Sequence, residues 1–145
     1  MAYIKYKELT EYFNFHQELD INNLPDYVKD YLSPKEEVFV AYATNNDKFV
    51  LTNKKILIFD VKGITGTKKI HIFPFKSISS SAIEFKANKT AILVTMDSGY
   101  QLRLNFVQMN PKDKRKFRQV YMILANNICE NNWKYVILWK KAKKC

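Results

Sequence analysis

The spacing of apolar residues changes period twice along this chain. Up to about residue 32 it suits helices: Leu9, Tyr12, Phe13 and His16 fall on one helical face by their three- and four-residue steps. A second short helix is predicted from Pro25, a favourable first-turn residue, with Leu24, Tyr27, Val28, Tyr31 and Leu32 as its apolar stripe. Ser33-Pro34 ends it. From Glu36 the period becomes two. Val38–Tyr42, Lys48–Thr52, Ile56–Val61, Lys69–Phe75, Ser77–Lys86, Ala91–Met96 and Tyr100–Phe106 read as seven strands. Asn45-Asn46-Asp47, Asn53, the Gly63–Gly66 loop and Asp97-Ser98-Gly99 supply turns between them.

Ile56–Val61 is almost wholly apolar, which places it centrally in its sheet. The last strand instead alternates Tyr100, Leu102, Leu104 and Phe106 with Gln101, Arg103 and Asn105, so one of its faces packs and the other is wet. At Asn110-Pro111, a good cap and first residue, the helical period returns. Phe117, Val120, Tyr121, Leu124 and Ile128 give helix 111–128 one apolar face, with Lys112, Arg115, Lys116 and Arg118 near its start. Seven strands in succession and a closing amphipathic helix predict a mainly β (α+β) fold.

The wording of the middle segment adds a family. Thr52-Asn53-Lys54-Lys55, Asp60, Gly63-Ile64-Thr65-Gly66, Pro74-Phe75-Lys76-Ser77-Ile78 and Glu84 resemble, in order and spacing, the bacterial pleckstrin-homology-like (PH-like) family. The resemblance is strong over 37–84, holds by pattern over 90–128, and leaves 130–145 as an addition. Lys55 stands where the family usually has Arg, Phe75 where it has Tyr, and Phe85-Lys86-Ala87-Asn88-Lys89 replaces its glycine-containing stretch. The resemblance implies a seven-stranded, strongly bent antiparallel sheet or barrel with the helix plugging one end. The expected organisation is an N-terminal helical extension over 1–35, a PH-like domain over 36–129 and an aromatic, basic extension over 130–145, all in one compact unit. It further implies ring-forming oligomers and no catalysis, with Asp60 and Glu84 structural. Phosphoinositide-binding relatives carry basic residues in the first strand–strand loop. Here Thr44-Asn45-Asn46-Asp47 has none before Lys48, which disfavours that mode.

Charge sharpens the picture. The net +10 is divided into −5 over residues 1–47 (four Lys, nine Asp/Glu), +7 over 48–111 (ten basic, three acidic) and +8 over 112–145 (ten basic, two acidic). An acidic head and a basic remainder suit either an anionic partner or attraction between copies. Lysine supplies 21 of the 24 basic residues, so bidentate readers of phosphate or bases are scarce. No apolar run reaches the ~20 residues that span a bilayer. Met1–Glu8 is too polar for a secretory signal, and Cys129 and Cys145 are too few for a disulfide framework. A reducing cytoplasm is the expected address.

Little in the chain points to chemistry. Lys62–Lys68 has two residues between its glycines where a phosphate loop needs four, and a strand follows instead of a helix. His16 and His71 with two scattered cysteines make no zinc site, and Cys129 is expected to pack beside Ile128. No nucleophile elbow occurs. The expectation is therefore a non-enzyme with no cofactor, no metal and no small-molecule substrate.

Candidate contacts for an anionic partner, nucleic acid or acidic lipid, are Lys112, Lys114, Arg115, Lys116, Arg118, Lys140, Lys141, Lys143 and Lys144. Candidate protein-interface residues are Tyr12, Phe13, Trp133, Tyr135 and Trp139. Trp133–Cys145 reads either as a membrane- or nucleic-acid-seeking segment or as one docked on its own domain. Three functions fit: a cytoplasmic, self-associating PH-like scaffold that binds protein; an anion-binding adaptor; or a mobile-element-encoded inhibitor of a host protein.

Overall fold

In the computed structural model, which describes residues 10–62, 64, 66–107 and 113–131, the described residues form nine strands in two sheets. Strands β1 (Thr10–Phe15) and β2 (Gln17–Glu18) come first, then a 3-10 turn at Ile21–Asn23 and the one-turn helix α1 (Asp26–Lys29). A meander follows: β3 (Val38–Ala43), β4 (Lys48–Thr52), β5 (Lys55–Lys62) and β6 (Thr67–Pro74). A 3-10 turn at Phe75–Ser77 leads to β7 (Ile78–Phe85), β8 (Lys89–Met96), β9 (Gln101–Val107) and helix α2 (Asp113–Asn131). The sheet orders are β2-β3-β4-β5-β6 and β1-β9-β8-β7.

Turn chemistry fixes the register. In the β3–β4 loop the Thr44 hydroxyl accepts from the amides of Asn46 (3.3 Å) and Asp47 (3.0 Å). Asp47 in turn accepts from the Val61 amide of β5 at 3.1 Å. Between β8 and β9, Gly99 takes φ +92°, a backbone that glycine adopts without a Cβ penalty. Its amide donates to the Met96 carbonyl at 3.0 Å, closing the turn.

The apolar run in β5 has a simple cause: both faces of its sheet are covered. Ile56 and Ile58 point into the main core with Phe49, Leu51, Ile92, Leu102, Leu104 and Phe106. Leu57 and Phe59 point the other way, against Leu24 and Val28 from the segment that carries α1. Helix α2 closes the main core with Phe117, Val120, Leu124 and Ile128, all buried. Phe117 stacks on Phe106 at 4.6 Å between ring centroids, and the Tyr121 hydroxyl donates to the Ser81 carbonyl of β7.

Strands occupy the seven expected stretches, their ends displaced by three residues or fewer, and the closing helix is present. The expected single seven-stranded antiparallel sheet is not: the described strands divide into sheets of five and four, the second with a parallel pair. Nor is the expected first helix. Residues 10–15 form a strand, paired parallel with β9 from Thr10↔Gln101 to Phe15↔Phe106. Phe13 and Phe15 are buried while Tyr12, Asn14 and His16 are exposed, a period of two. Phe13 alone suits either period in so short a window, and the deciding partner lies far along the chain. The segment then crosses to the other sheet, where the His16 and Leu19 amides donate to the Ala43 and Ala41 carbonyls at 3.2 and 2.8 Å. It joins the two sheets at one corner. The second expected helix survives as the single turn α1. Cys129 is also corrected: it is exposed, because Ile128 takes the inward position.

Candidate functional site

The residues that carry the family wording hold the fold together. Glu36 has a fully covered side chain and gathers four donors from the β4–β5 turn and the preceding loop. These are the Thr52 hydroxyl, the Ser33 amide (3.1 Å), the Ser33 hydroxyl (3.0 Å) and the Lys55 ammonium (3.1 Å). Burial raises the Glu36 pKa, but the hydrogen bonds from Thr52, Ser33 and Lys55 outweigh it and hold the carboxyl below its ordinary range. Thr52 also accepts from the amides of Lys54 and Lys55, both at 3.1 Å. Asn53 exchanges two bonds of 3.0 Å with Glu37: its amide donates to the Glu37 carbonyl, and its side-chain carbonyl accepts from the Glu37 amide. Thr-Asn-x-Lys is therefore a turn clamp, and Lys55 serves at the family's Arg position by neutralising Glu36.

The other motif residues also have structural roles. Phe75 is buried in the 3-10 turn after Pro74. Asp60 is buried on the inner face of β5, its carboxylate 4.0 Å from His71 Nε2. His71 stacks on Phe73 and meets the Phe13 ring edge-on. Glu84, on the other sheet, pairs with Lys86 (3.1 Å) and Arg103 (3.3 Å). The Lys86 hydrogen bond does most to keep its carboxyl below the ordinary range; partial desolvation opposes, and the Lys86 and Arg103 charges reinforce. The two carboxylates thus engage separate basic partners.

Among the anionic-partner candidates, Arg115 and Arg118 are exposed on α2, and the Arg118 guanidinium lies 5.8 Å over the Phe85 ring. Lys116 is taken up by an ion pair with Glu18 of β2, so head and basic helix attract within one chain. Lys114 is on α2; Lys112, Lys140, Lys141, Lys143 and Lys144 lie outside the described residues, as do Trp133, Tyr135 and Trp139. Phe13 packs inside the main core. Tyr12 is 64% exposed on the outer face of the four-stranded sheet. It sits opposite Arg103, which is opposite Leu93, which is opposite Ala82. Arg103 is fixed there by Asn105 (3.1 Å) as well as Glu84.

A cleft of about 420 Å³ lies outside the five-stranded sheet, between α1 and the β3–β4 loop. Tyr27, Tyr31, Asn45, Asn46, Lys48 and Lys68 are among the residues that line it. Sequence reasoning assigned Tyr27 and Tyr31 to an apolar stripe and gave Lys48 and Lys68 no role. No local signal marked the cleft, because its residues come from separate segments.

The family comparison settles membership: the model for the bacterial PH domain matches residues 9–128. The chain belongs to that family. Solved bacterial PH-domain structures have the same fold. One from Shewanella loihica superposes with a TM-score of 0.63 at 20% identity, covering 80% of this chain and 99% of the other. A second, from Shewanella amazonensis, gives 0.54 at 21% identity over 70% of this chain and 86% of its own. A PH-domain protein from Exiguobacterium sibiricum gives 0.60 at 15% identity, over 77% of this chain and 61% of its own. At these identities the likeness speaks for the PH fold alone. No curated protein matches the sequence. Among the described residues, no helix is long and apolar enough to cross a membrane.

Proposed function

We propose that this PH-domain chain is a non-catalytic binding and scaffolding protein that works through protein–protein contacts, with other copies of itself among its partners. The Tyr12–Arg103 pair carries this reading. Tyrosine and arginine are the side chains that most often anchor protein interfaces. Here a largely exposed tyrosine sits in register with an arginine whose guanidinium is already held by Glu84 and Asn105. A pre-positioned arginine loses little freedom when a partner covers it. Half-buried Leu93 and small Ala82 continue the same row across β8 and β7.

Gel filtration with light scattering tests the self-associating part. Wild type at high micromolar concentration is expected above its 17.2 kDa monomer mass, and Tyr12→Ala is expected to shift toward it. Crosslinking in native lysate tests for other partners. A wild type that stays monomeric and captures nothing that Tyr12→Ala loses would refute the proposal.

A further inference from the structure

The cleft beside α1 combines features that select for one kind of ligand. Its volume, about 420 Å³, lies within the usual range for small-molecule pockets, roughly 300–1,000 Å³. Its aromatic wall is partly solvent-facing: Tyr27 is 42% exposed and Tyr31 39%. Both rings meet buried Phe59 edge-on, at 5.5 and 5.7 Å between centroids. They are propped by the sheet rather than by one another.

The charge in the cleft is positive. Lys48 shares the outward parity of Val50, and Lys68 that of Ile70, so both side chains leave the sheet on the cleft side. The Lys48 ammonium is placed 5.5 Å over the Tyr27 ring, a pre-set cation rather than a free arm. Asp60 also contributes to the lining, but its carboxylate meets His71 on the inner face. Asn45 and Asn46 also line it, on a loop that Asp47 ties to β5.

We propose that this cleft binds a soluble phosphorylated ligand with a planar ring, of the nucleotide class. The ring would lie against Tyr27 and Tyr31, with its polar edge read by the asparagine amides, and the phosphate would sit between Lys48 and Lys68. A phosphate alone would use only the lysines, and an uncharged ring only the tyrosines and asparagines. Two lysines act as point charges without a bidentate fork, so the ring must supply part of the affinity.

Isothermal titration on the full chain tests this with adenosine and guanosine monophosphates, inorganic phosphate, inositol trisphosphate, and vesicles of phosphatidylcholine with phosphatidylserine. At least one nucleotide is expected to bind one-to-one with Kd below about 1 mM, and inorganic phosphate at least ten times more weakly. Lys48→Gln with Lys68→Gln should weaken nucleotide binding about tenfold or more at an unchanged Tm. Tyr27→Ala should weaken nucleotide binding while leaving weak phosphate binding as it was. The proposal is overturned if no nucleotide saturates the protein at millimolar concentration, or if the lysine double variant binds normally. It is equally overturned if phosphate, inositol trisphosphate or vesicles bind as well as the nucleotide, since the planar ring would then play no part.

Discussion

Replacing Glu36 with alanine should cost more than almost any other polar substitution in the described residues. The carboxylate is covered, and its removal takes the shared acceptor from all four donors. Removing one partner of a buried ion pair typically costs ~3–5 kcal/mol. The low end applies here, because the Lys55 side chain keeps 18% of its surface exposed and can recover some hydration. Unfolding entropy of ~2.1 cal/mol/K per residue gives ~0.3 kcal/mol/K for a 145-residue chain, so ~3 kcal/mol lowers Tm by ~10 °C. Glu36→Gln, which keeps the size and one acceptor, should lose about half as much. The two variants also differ from wild type in acid. The folded carboxyl has the lower pKa, so its stabilisation is complete at neutral pH and disappears as pH falls from the ordinary glutamate range through the folded value. Urea unfolding at about pH 7 and about pH 4 should show part of the wild-type acid loss missing in Glu36→Gln. An alanine variant melting within ~3 °C of wild type, or a glutamine variant as acid-sensitive as wild type, would refute this account of the turn clamp.

Leu124→Asp puts an unpaired charge where the helix side chain has no exposed surface. That costs several kcal/mol against a total of ~5–15, so the cooperative melt should vanish; melting at the wild-type temperature would misplace α2. Asn53→Ala removes the acceptor of the Glu37 amide and should cost ~1 kcal/mol, read as ~3 °C in Tm, while Asn53→Asp keeps the acceptor and should lose less. Lys116→Gln should change Tm by less than ~2 °C, because both side chains of the Lys116–Glu18 pair are more than 40% exposed. A drop beyond ~5 °C would mean the contact between β2 and α2 matters more than exposed ion pairs do.

Much of the fold could be read locally, because most strand neighbours are also sequence neighbours. The alternation in Gln101–Phe106, the Asp97-Ser98-Gly99 turn and the 117-120-124-128 stripe each need only a short window. β1 did not yield to this reading. Its partner β9 runs parallel to it from the far end of the chain, and the Phe13-Asn14-Phe15 alternation is too brief to outweigh the helical spacing of Leu9, Tyr12 and Phe13. The cleft was hidden for a related reason: Tyr27, Lys48 and Lys68 come from three segments, and only the stacked register of β4, β5 and β6 brings them together. Arg103 was recognised as lying on a wet strand face. Its pairing with Tyr12 depends on β1 being a strand.

The parallel β1–β9 pairing also bears on the order of events during synthesis. Thr10 and Gln101 are separated by about ninety residues, which at ~5–20 residues per second take ~5–18 s to translate. Throughout that interval Phe13 and Phe15 leave the ribosome with no sheet to join, while the β3–β6 meander can already zip from its own hairpins. Closing so long a loop costs ~2–3 kcal/mol more in chain entropy than closing the β8–β9 turn. The earliest of the nine strands to be made is thus among the last to dock, and during the wait its two phenylalanines are a natural target for a nascent-chain chaperone.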